Sequence, residues 1–179
     1  MVRPLLVLIA LLAATPVSAT LYLPVDFAEM VTSAKDIAHG RVVDVRSDVT
    51  PDRRTIVTYV TIAVEKHLKG SFGEAVTFRV PGGQVGRYRR IVVGAPQFSP
   101  GDEVIVFLTA RGPSIPYLFG LSQGVYRVSR RAGAGPLVTP LPAIATGGAD
   151  RLVRGDPARR PLALDAFARQ VKTILESRK

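Results

Sequence analysis

The residues whose chemistry is most suggestive lie in one short stretch of the chain. The stretch combines arginines, glycines, a glutamine and a tyrosine: Arg79, Gly82, Gly83, Gln84, Arg87, Tyr88, Arg89 and Arg90. Arginines supply forked donors to an anion, glycines let backbone amides approach it closely, and tyrosine offers a stacking face. The stretch matches neither GxGxxG nor a phosphate loop. It predicts a recognition surface, and the alternative is an exposed hairpin without a ligand.

A serine with the spacing of a hydrolase nucleophile is the second candidate. Residues 120–124 read Gly, Leu, Ser, Gln, Gly, which formally matches GxSxG. That motif needs a strand before the serine and a helix after it, and its histidine follows in chain order. Here Val125–Val128 has the pattern of a strand, and His39 and His67 both precede Ser122. We therefore expect a turn or a bulge at Ser122 and no catalytic residues.

Metal-ligating residue types are sparse. His39 and His67 lie far apart in the chain, in neither an HxH nor an HExxH pattern. Zinc sites usually need three or four nitrogen, sulfur or carboxylate ligands, and the spacing indicates no third ligand. The aspartates Asp44, Asp48 and Asp52 lack the alternating ligands and the central glycine of a calcium loop. We expect no metal and no cofactor.

Residues 1–19 have the pattern of a secretory signal peptide. Arg3 provides the positive charge, Leu5–Ala14 is apolar throughout, and Val17–Ala19 forms a small-residue cleavage site. The apolar stretch is too short for a bilayer core, which takes about 20 residues. Because the chain has no cysteine, disulfides, thiol nucleophiles and a lipid anchor on cysteine are excluded. We expect export to the periplasm or the medium, with no transmembrane segment after cleavage.

Positive charge is concentrated toward the C-terminus. The formal charge of the whole chain is +10. Residues 20–126 hold 12 Lys and Arg against 10 Asp and Glu, whereas residues 127–179 hold 11 against 4. The basic end suits nucleic acid, an anionic polymer or a membrane face, and the alternative is a solvated arginine-rich surface. Export argues against nucleic acid as a partner.

The elements that must position these residues read as a series of short strands. Thr55–Glu65 is a β-branched and aromatic run, typical of a strand with one buried side. On the preceding strand we expect Val43 and Val45 on one side and Val42 on the other. Pro100 and the glycine after it suit a type II turn. Together the patterns predict seven or eight strands, at about 37–46, 55–65, 76–80, 104–108, 117–121, 125–128 and 137–139, with a further apolar segment at 91–93.

Two helices flank the predicted strands. Asp26 and Glu29 resemble a capping box before a short amphipathic helix. An apolar stripe at helical spacing, from Leu164 to Leu175, predicts a C-terminal amphipathic helix that packs on the β body. We therefore divide the chain into a signal peptide at 1–19, a β-barrel domain at 20–139, a Pro/Gly/Arg-rich linker at 140–161 and the C-terminal helix at 162–179.

Several segments resemble a group of uncharacterised bacterial secreted proteins. The likeness spans about Asp26–Val128 and rests on five segments: Gly40–Val42, Val64–Gly70, Val80–Gly83, Gly94–Glu103 and Gly120–Gly124. More distantly, the strand ending in Leu68, Lys69 and Gly70 is similar to the OB-type barrel of netrin-like modules and tissue metalloproteinase inhibitors. The resemblance implies a mainly β fold, an OB-like closed or partly open barrel. Because those inhibitors chelate zinc with an N-terminal cysteine, their mechanism does not carry over to this chain.

The sequence leaves three functions open. The first is an exported, non-enzymatic binding module of the bacterial cell envelope or exterior, recognising a protein or an anionic polymer through the loops around Gly82–Arg90. The second is an inhibitor or chaperone-like partner of a secreted peptidase. A hydrolase using Ser122 is the third. The pattern of residues does not indicate an oligomeric state.

Overall fold

The computed structural model describes residues 25–110, 114–130, 133–141, 144–147, 151–154 and 160–177. The chain is mainly β, with a short helix near the N-terminus and a C-terminal helix, as expected. The predicted signal peptide lies outside the described residues. Among the described residues, no helix has the length and apolar content needed to cross a bilayer.

Two α-helices and twelve strands are present within the described residues. Helix α1 is Phe27–Ser33 and helix α2 is Leu164–Glu176. A short 3₁₀ turn covers Leu121–Gly124. The strands are β1 Asp36–Val49, β2 Ile56–Lys69, β3 Ala75–Pro81, β4 Gly83–Val85, β5 Tyr88–Arg90, β6 Glu103–Thr109, β7 Tyr117–Leu118, β8 Val125–Ser129, β9 Leu137–Pro140, β10 Ile144–Gly147, β11 Arg151–Arg154 and β12 Leu162–Ala163.

Five of the strands close a ring. Strand β1 pairs with β2, β2 with β3, β3 with β7, β7 with β6, and β6 pairs back with β1. The β3–β7 pairing is parallel and the others are antiparallel. Strands β8, β9 and β12 extend the same sheet from β6, while β4–β5 and β10–β11 are separate two-stranded sheets. Closing the ring gives each of its strands a partner on both sides.

Three bulges interrupt the long β1–β2 pairing. Glu65 and Leu68 on β2, and Val43 on β1, have no partner in the register between the two strands. A bulge displaces the in-and-out alternation of side chains by one residue. Val42 is therefore buried and Val43 is 53% exposed. The prediction that Val43 and Val45 share a face is wrong, because Val45 packs with Val42 against the core.

Gly40 permits the close approach of β1 and β2 beside the Glu65 bulge. A Cβ atom at Gly40 would lie 2.2 Å from the carbonyl oxygen of Ala63. No side chain fits at that distance from a backbone atom, so only glycine is compatible with this register.

The turn that leads into β6 is the predicted type II turn. Gly101 has a φ of 92°, and the N–H of Asp102 donates to the carbonyl of Ser99 at 3.0 Å. Proline before the glycine presets the first central position, and glycine takes the positive φ of the second. The prediction for Pro100 and Gly101 is confirmed.

The core has two parts that share strand β6. One part draws on all five ring strands and includes Val60, Phe78 and Val106. The other lies beneath the helices, where four aromatic rings have centroids 4.8 to 6.5 Å apart: Phe27, Phe107, Tyr126 and Phe167. Both faces of β6 are buried. Each fully buried side chain of this size contributes roughly 1.5–3 kcal/mol.

Both helices are fixed by the features that predicted them. The Oδ1 atom of Asp26 accepts from the backbone amides of Ala28 and Glu29, which caps α1. In α2, Phe167 and Val171 are buried in the second core. The C-terminal helix thus packs on the β body through its apolar stripe.

Part of the predicted linker at 140–161 forms strands. Strands β10 and β11 pair in antiparallel fashion, with Ile144 opposite Arg154. Within that segment, residues 142–143, 148–150 and 155–159 lie outside the described residues. The predicted domain boundaries stay predictions.

Candidate functional site

Most of the predicted recognition surface lies on one hairpin. Strands β4 and β5 form it, joined by a turn at Gly86 and Arg87. A Cβ atom on Gly86 would meet no heavy atom within 4 Å, so the tip projects away from its surroundings. Seven of the eight predicted residues lie in or beside this hairpin: Gly82, Gly83, Gln84, Arg87, Tyr88, Arg89 and Arg90.

Arg79 is the predicted residue that lies elsewhere. It belongs to β3, where it is paired with Tyr59 of β2 and Tyr117 of β7. Its guanidinium carbon is 5.9 Å from the centroid of the Tyr117 ring. Arg79 also lines a different groove from the hairpin arginines, together with Tyr117 and Leu121. The fold therefore separates Arg79 from the other seven residues.

Two glycines attach the hairpin to the ring: Gly82, just before β4, and Gly83, the first residue of β4. The N–H of Gly82 donates to the carbonyl of Ile56 at 3.0 Å, and its carbonyl accepts from the Thr58 hydroxyl at 2.8 Å. Gly83 has a φ of 136°, and a Cβ there would lie 2.4 Å from the Ser47 hydroxyl oxygen. Because the Gly82 amide already has a partner in the protein, this geometry argues against its use for an anion.

A groove of about 530 Å³ lies between the hairpin and the loop that connects β1 to β2. Four arginines line it, Arg53 and Arg54 from the loop and Arg89 and Arg90 from β5, together with apolar groups that include Ile91. We call this the arginine groove. All four arginines are exposed. Within the described part of the chain, none of them forms an ion pair with a carboxylate.

The loop holds its two arginines in place through its own hydrogen bonds. The N–H of Thr50 donates to the carbonyl of Thr55 at 2.9 Å, and the N–H of Arg53 donates to that of Thr50 at 2.7 Å. Asp52 accepts from the Thr50 hydroxyl and from the Arg54 amide, and these bonds lower the pKa of the Asp52 carboxyl. The nearest acidic group in the loop is thus engaged by the loop itself.

No sequence signal connects Arg53 and Arg54 with the hairpin. They follow Pro51 and Asp52 in a segment that reads as a polar connection between strands. Only the pairing of β1 with β2, and the seating of the hairpin against both strands, brings the loop beside β5. These two arginines are the functional candidates that sequence reasoning missed.

A second group of charged residues surrounds a buried carboxylate at the start of β6. We call it the Glu103 cluster, and its members are His39, Arg41, Glu65, Glu103 and Arg130. The side chain of Glu103 is 5% exposed. Arg130 donates to both of its carboxylate oxygens, at 2.7 and 2.9 Å, and an Arg41 nitrogen lies 3.4 Å away. The Arg130 hydrogen bonds, supported by His39, lower the pKa of Glu103 to about 2.

Bulge formation explains how Glu65 reaches this cluster. Glu65 has no partner in the β1–β2 register, and it lies beside His39, with an oxygen 3.8 Å from the Nδ1 atom. The Nε2 atom of His39 is 3.0 Å from Glu103. The fold thus places two carboxylates beside His39. The sequence indicated no carboxylate partner for this histidine, because Glu65 and Glu103 lie on different strands, β2 and β6.

The ligand atoms of His39, Glu65 and Glu103 all lie within 4.8 Å of one another, a spacing compatible with a metal ion. However, Arg130 already occupies both oxygens of Glu103 and places its positive charge there. A divalent cation would have to displace that guanidinium and would be repelled by Arg41. The cluster fits its own guanidinium groups better than it fits a metal.

His67 and the buried Asp36 form a second pair that serves the fold. Asp36 is fully buried, which raises its pKa, and His67 partly opposes that effect from 3.0 Å. The backbone N–H of Phe72 also donates to Asp36 at 2.9 Å, and His67 Nε2 lies 3.0 Å from the Gly73 carbonyl. These bonds fix the turn between β2 and β3.

Ser122 lies in the 3₁₀ turn between β7 and β8. It is 8% exposed, and its backbone N–H donates to the carbonyl of Gly94 at 3.1 Å. Strand β8 follows directly, where a nucleophile would need a helix. His39 contacts Glu103, and His67 contacts Asp36. A turn at this position was predicted, and the geometry does not support Ser122 as a nucleophile.

Known proteins provide no assignment for the chain. No protein-family model, curated protein or solved structure matches it. What the protein does must therefore be inferred from the chemistry of its own surfaces. Among the described residues, the arginine groove offers the clearest capacity, which is to bind a negatively charged group.

Proposed function

We propose that the protein is a non-enzymatic binding module of the bacterial cell envelope or exterior that captures an anionic ligand in the arginine groove. The observation that carries the proposal is the convergence of Arg53, Arg54, Arg89 and Arg90 on one groove, with no ion-pair partner among the described residues. Export and the bacterial setting come from the sequence pattern of residues 1–19 and from the resemblance to secreted proteins.

Electrostatics supports a ligand at this position. Four like charges on one groove repel each other, and an anion relieves that repulsion while accepting forked hydrogen bonds. Guanidinium groups are more weakly hydrated than ammonium groups, so transferring them from water to an anion is less costly. Arg87, at the hairpin turn, adds a fifth positive charge nearby, and its guanidinium lies over the Tyr88 ring.

We also propose that the five-stranded ring is an OB-like barrel. Its order, β1-β2-β3-β7-β6 and back to β1, with a parallel β3–β7 contact, supports this assignment. OB-folds bind ligands with the loop between their first two strands and the face of strands 2 and 3. The loop that carries Arg53 and Arg54 occupies the first of these positions.

The test measures binding of inorganic polyphosphate, a soluble polyanion, at low and high salt. It uses the mature domain, which is the chain without its predicted signal peptide (residues 20–179). Reversing two groove charges, Arg89→Glu with Arg90→Glu, should weaken binding by more than about tenfold. The matched control reverses two exposed arginines outside the groove, Arg160→Glu with Arg169→Glu, which changes the net charge equally. It should weaken binding by less than about threefold.

Two results would reject the proposal. One is wild-type protein that does not bind polyphosphate even at low salt. The other is an equal loss in the groove variant and in the control, because only the total charge would then matter. Binding should also weaken as salt rises, since each guanidinium–phosphate contact releases counterions.

A further inference from the structure

The most exposed apolar side chains of the described residues lie on and just after the arginine hairpin. Tyr88 is 64% exposed, Ile91 75% and Val93 72%. The next large apolar residue, Val43, is 53% exposed and sits at a bulge on β1. Tyr88 and Ile91 line the same groove and so share one exposed surface. Exposed apolar groups that lie together indicate a surface that contacts an apolar phase or partner.

Arginines flank these apolar groups in the chain. From Arg87 the chain reads Arg, Tyr, Arg, Arg, Ile, Val, Val. Ile91 lines the arginine groove together with Arg89 and Arg90, so charged and apolar groups face the same space. A soluble polyanion would neutralise the arginines but would leave the tyrosine and the aliphatic side chains in water.

An anionic bilayer surface satisfies both kinds of group at once. Lipid phosphates pair with guanidinium groups at the headgroup level, while tyrosine and short aliphatic side chains enter the boundary with the acyl chains. The geometry of the hairpin suits this arrangement, because it is a separate two-stranded sheet with open space around Gly86 at its tip.

We propose that the β4–β5 hairpin and the following Ile91–Val93 segment dock on an anionic phospholipid bilayer. The arginine groove then takes the headgroup phosphates, and Tyr88, Ile91 and Val93 enter the interface. This inference rests on the proposed function, since it names the anionic ligand as a lipid surface.

The test measures partitioning of the mature domain onto phosphatidylcholine vesicles with and without phosphatidylglycerol, by sedimentation. Wild-type protein should bind the phosphatidylglycerol vesicles and not the neutral ones. The substitutions Ile91→Ser with Val93→Ser keep every charge, and they should reduce vesicle binding by about tenfold. Val93→Ser alone, which lies outside the lining of the arginine groove, should also weaken vesicle binding while polyphosphate binding stays unchanged. Val43→Ser, an exposed apolar residue elsewhere, is the control and should bind vesicles as wild type does.

A spectroscopic measurement separates insertion from charge contact. Because the chain contains no tryptophan, Tyr88→Trp places a single reporter on the hairpin. Its emission should shift to shorter wavelength with phosphatidylglycerol vesicles, whereas the emission of Phe72→Trp, exposed on the β2–β3 turn, should not shift.

The outcomes distinguish this inference from the proposed function. If polyphosphate binds through Arg89 and Arg90 but vesicles do not bind, the proposed function stands and the membrane inference fails. An unshifted Tyr88→Trp emission, or full vesicle binding by Ile91→Ser with Val93→Ser, also rejects the inference. If those two substitutions instead convert a dimer into a monomer in the absence of lipid, the patch is a contact between copies, and the inference is rejected.

Discussion

The arginines of the Glu103 cluster and those of the arginine groove have opposite surroundings. Arg130 grips both oxygens of a buried glutamate, and Arg41 lies 3.4 Å from one of them. Arg54 and Arg89, by contrast, have no carboxylate partner in the described part of the chain. Arginine side chains thus stabilise the fold in the Glu103 cluster and stay available to a ligand in the arginine groove.

The difference teaches which charges to test for function. A guanidinium group paired with a buried carboxylate cannot be removed without leaving that carboxylate unpaired, so its loss damages the fold. A guanidinium group without a partner has little to do with stability, and its clustering with like charges slightly opposes folding. Stability and binding should therefore respond to different arginines.

Glu103→Ala should have the largest effect on stability. The substitution removes the carboxylate that holds Arg130, Arg41 and His39 together, and it leaves a cavity at the start of β6. We expect a loss of about 2–4 kcal/mol in the free energy of unfolding. Urea denaturation of the two proteins measures it. Glu74→Ala, which removes an exposed glutamate, should change stability by less than about 0.5 kcal/mol.

Acid should remove the stabilisation that Glu103 provides. Its pKa falls from an ordinary 4.5 to about 2 in the folded protein. A carboxyl whose pKa is lowered by folding stabilises the fold above pH 4.5, and that contribution declines as the pH falls toward 2. Each pKa unit corresponds to about 1.4 kcal/mol, and because solvent screens the exposed Arg130 side chain, we expect the contribution to be smaller than the full shift would give.

Comparison with Glu103→Gln isolates this effect, because Asp36 acts in the opposite direction. Burial raises the pKa of Asp36, so its protonation favours the fold as the pH falls. The difference in unfolding free energy between wild type and Glu103→Gln should shrink from neutral to acid pH. A difference that stays constant would show that Glu103 is not held ionised by its partners.

Arg130→Gln should raise the pKa of Glu103 toward its ordinary value, because the Arg130 hydrogen bonds are the largest cause of the lowered pKa. Carboxyl carbon shifts in an NMR titration report this pKa directly. Arg127→Gln is the matched control, because Arg127 pairs with the neighbouring Asp102. An unchanged Glu103 titration in Arg130→Gln would mean that His39 and Arg41 suffice.

Local pattern predicted the elements well where one physical rule dominated. Alternation of β-branched residues located β2. The Pro100–Gly101 pair located the turn before β6, and an apolar stripe located α2. Pattern failed at the bulges, because one extra residue on a strand reverses the faces without changing composition. Val43 is therefore exposed, and Glu65 lies beside His39.

The sequence predicted the hairpin part of the candidate site and not the part in the β1–β2 loop. The hairpin arginines are close together in the chain, so their clustering can be read directly. Arg53 belongs to another loop, and the exposure of Ile91 contradicts the usual expectation that an apolar segment is buried. Both facts depend on how the hairpin seats against β1 and β2, which no local rule determines.

Neutralising the groove loop should have the smallest effect on stability. For Arg53→Gln with Arg54→Gln we expect a change within about 0.5 kcal/mol, slightly stabilising because repulsion with Arg89 and Arg90 is relieved. Polyphosphate binding by the same variant should fall. Urea denaturation and the binding assay, run on one preparation, separate the two readouts. A loss of stability as large as that of Glu103→Ala would assign these arginines to the fold and remove the contrast between the two regions.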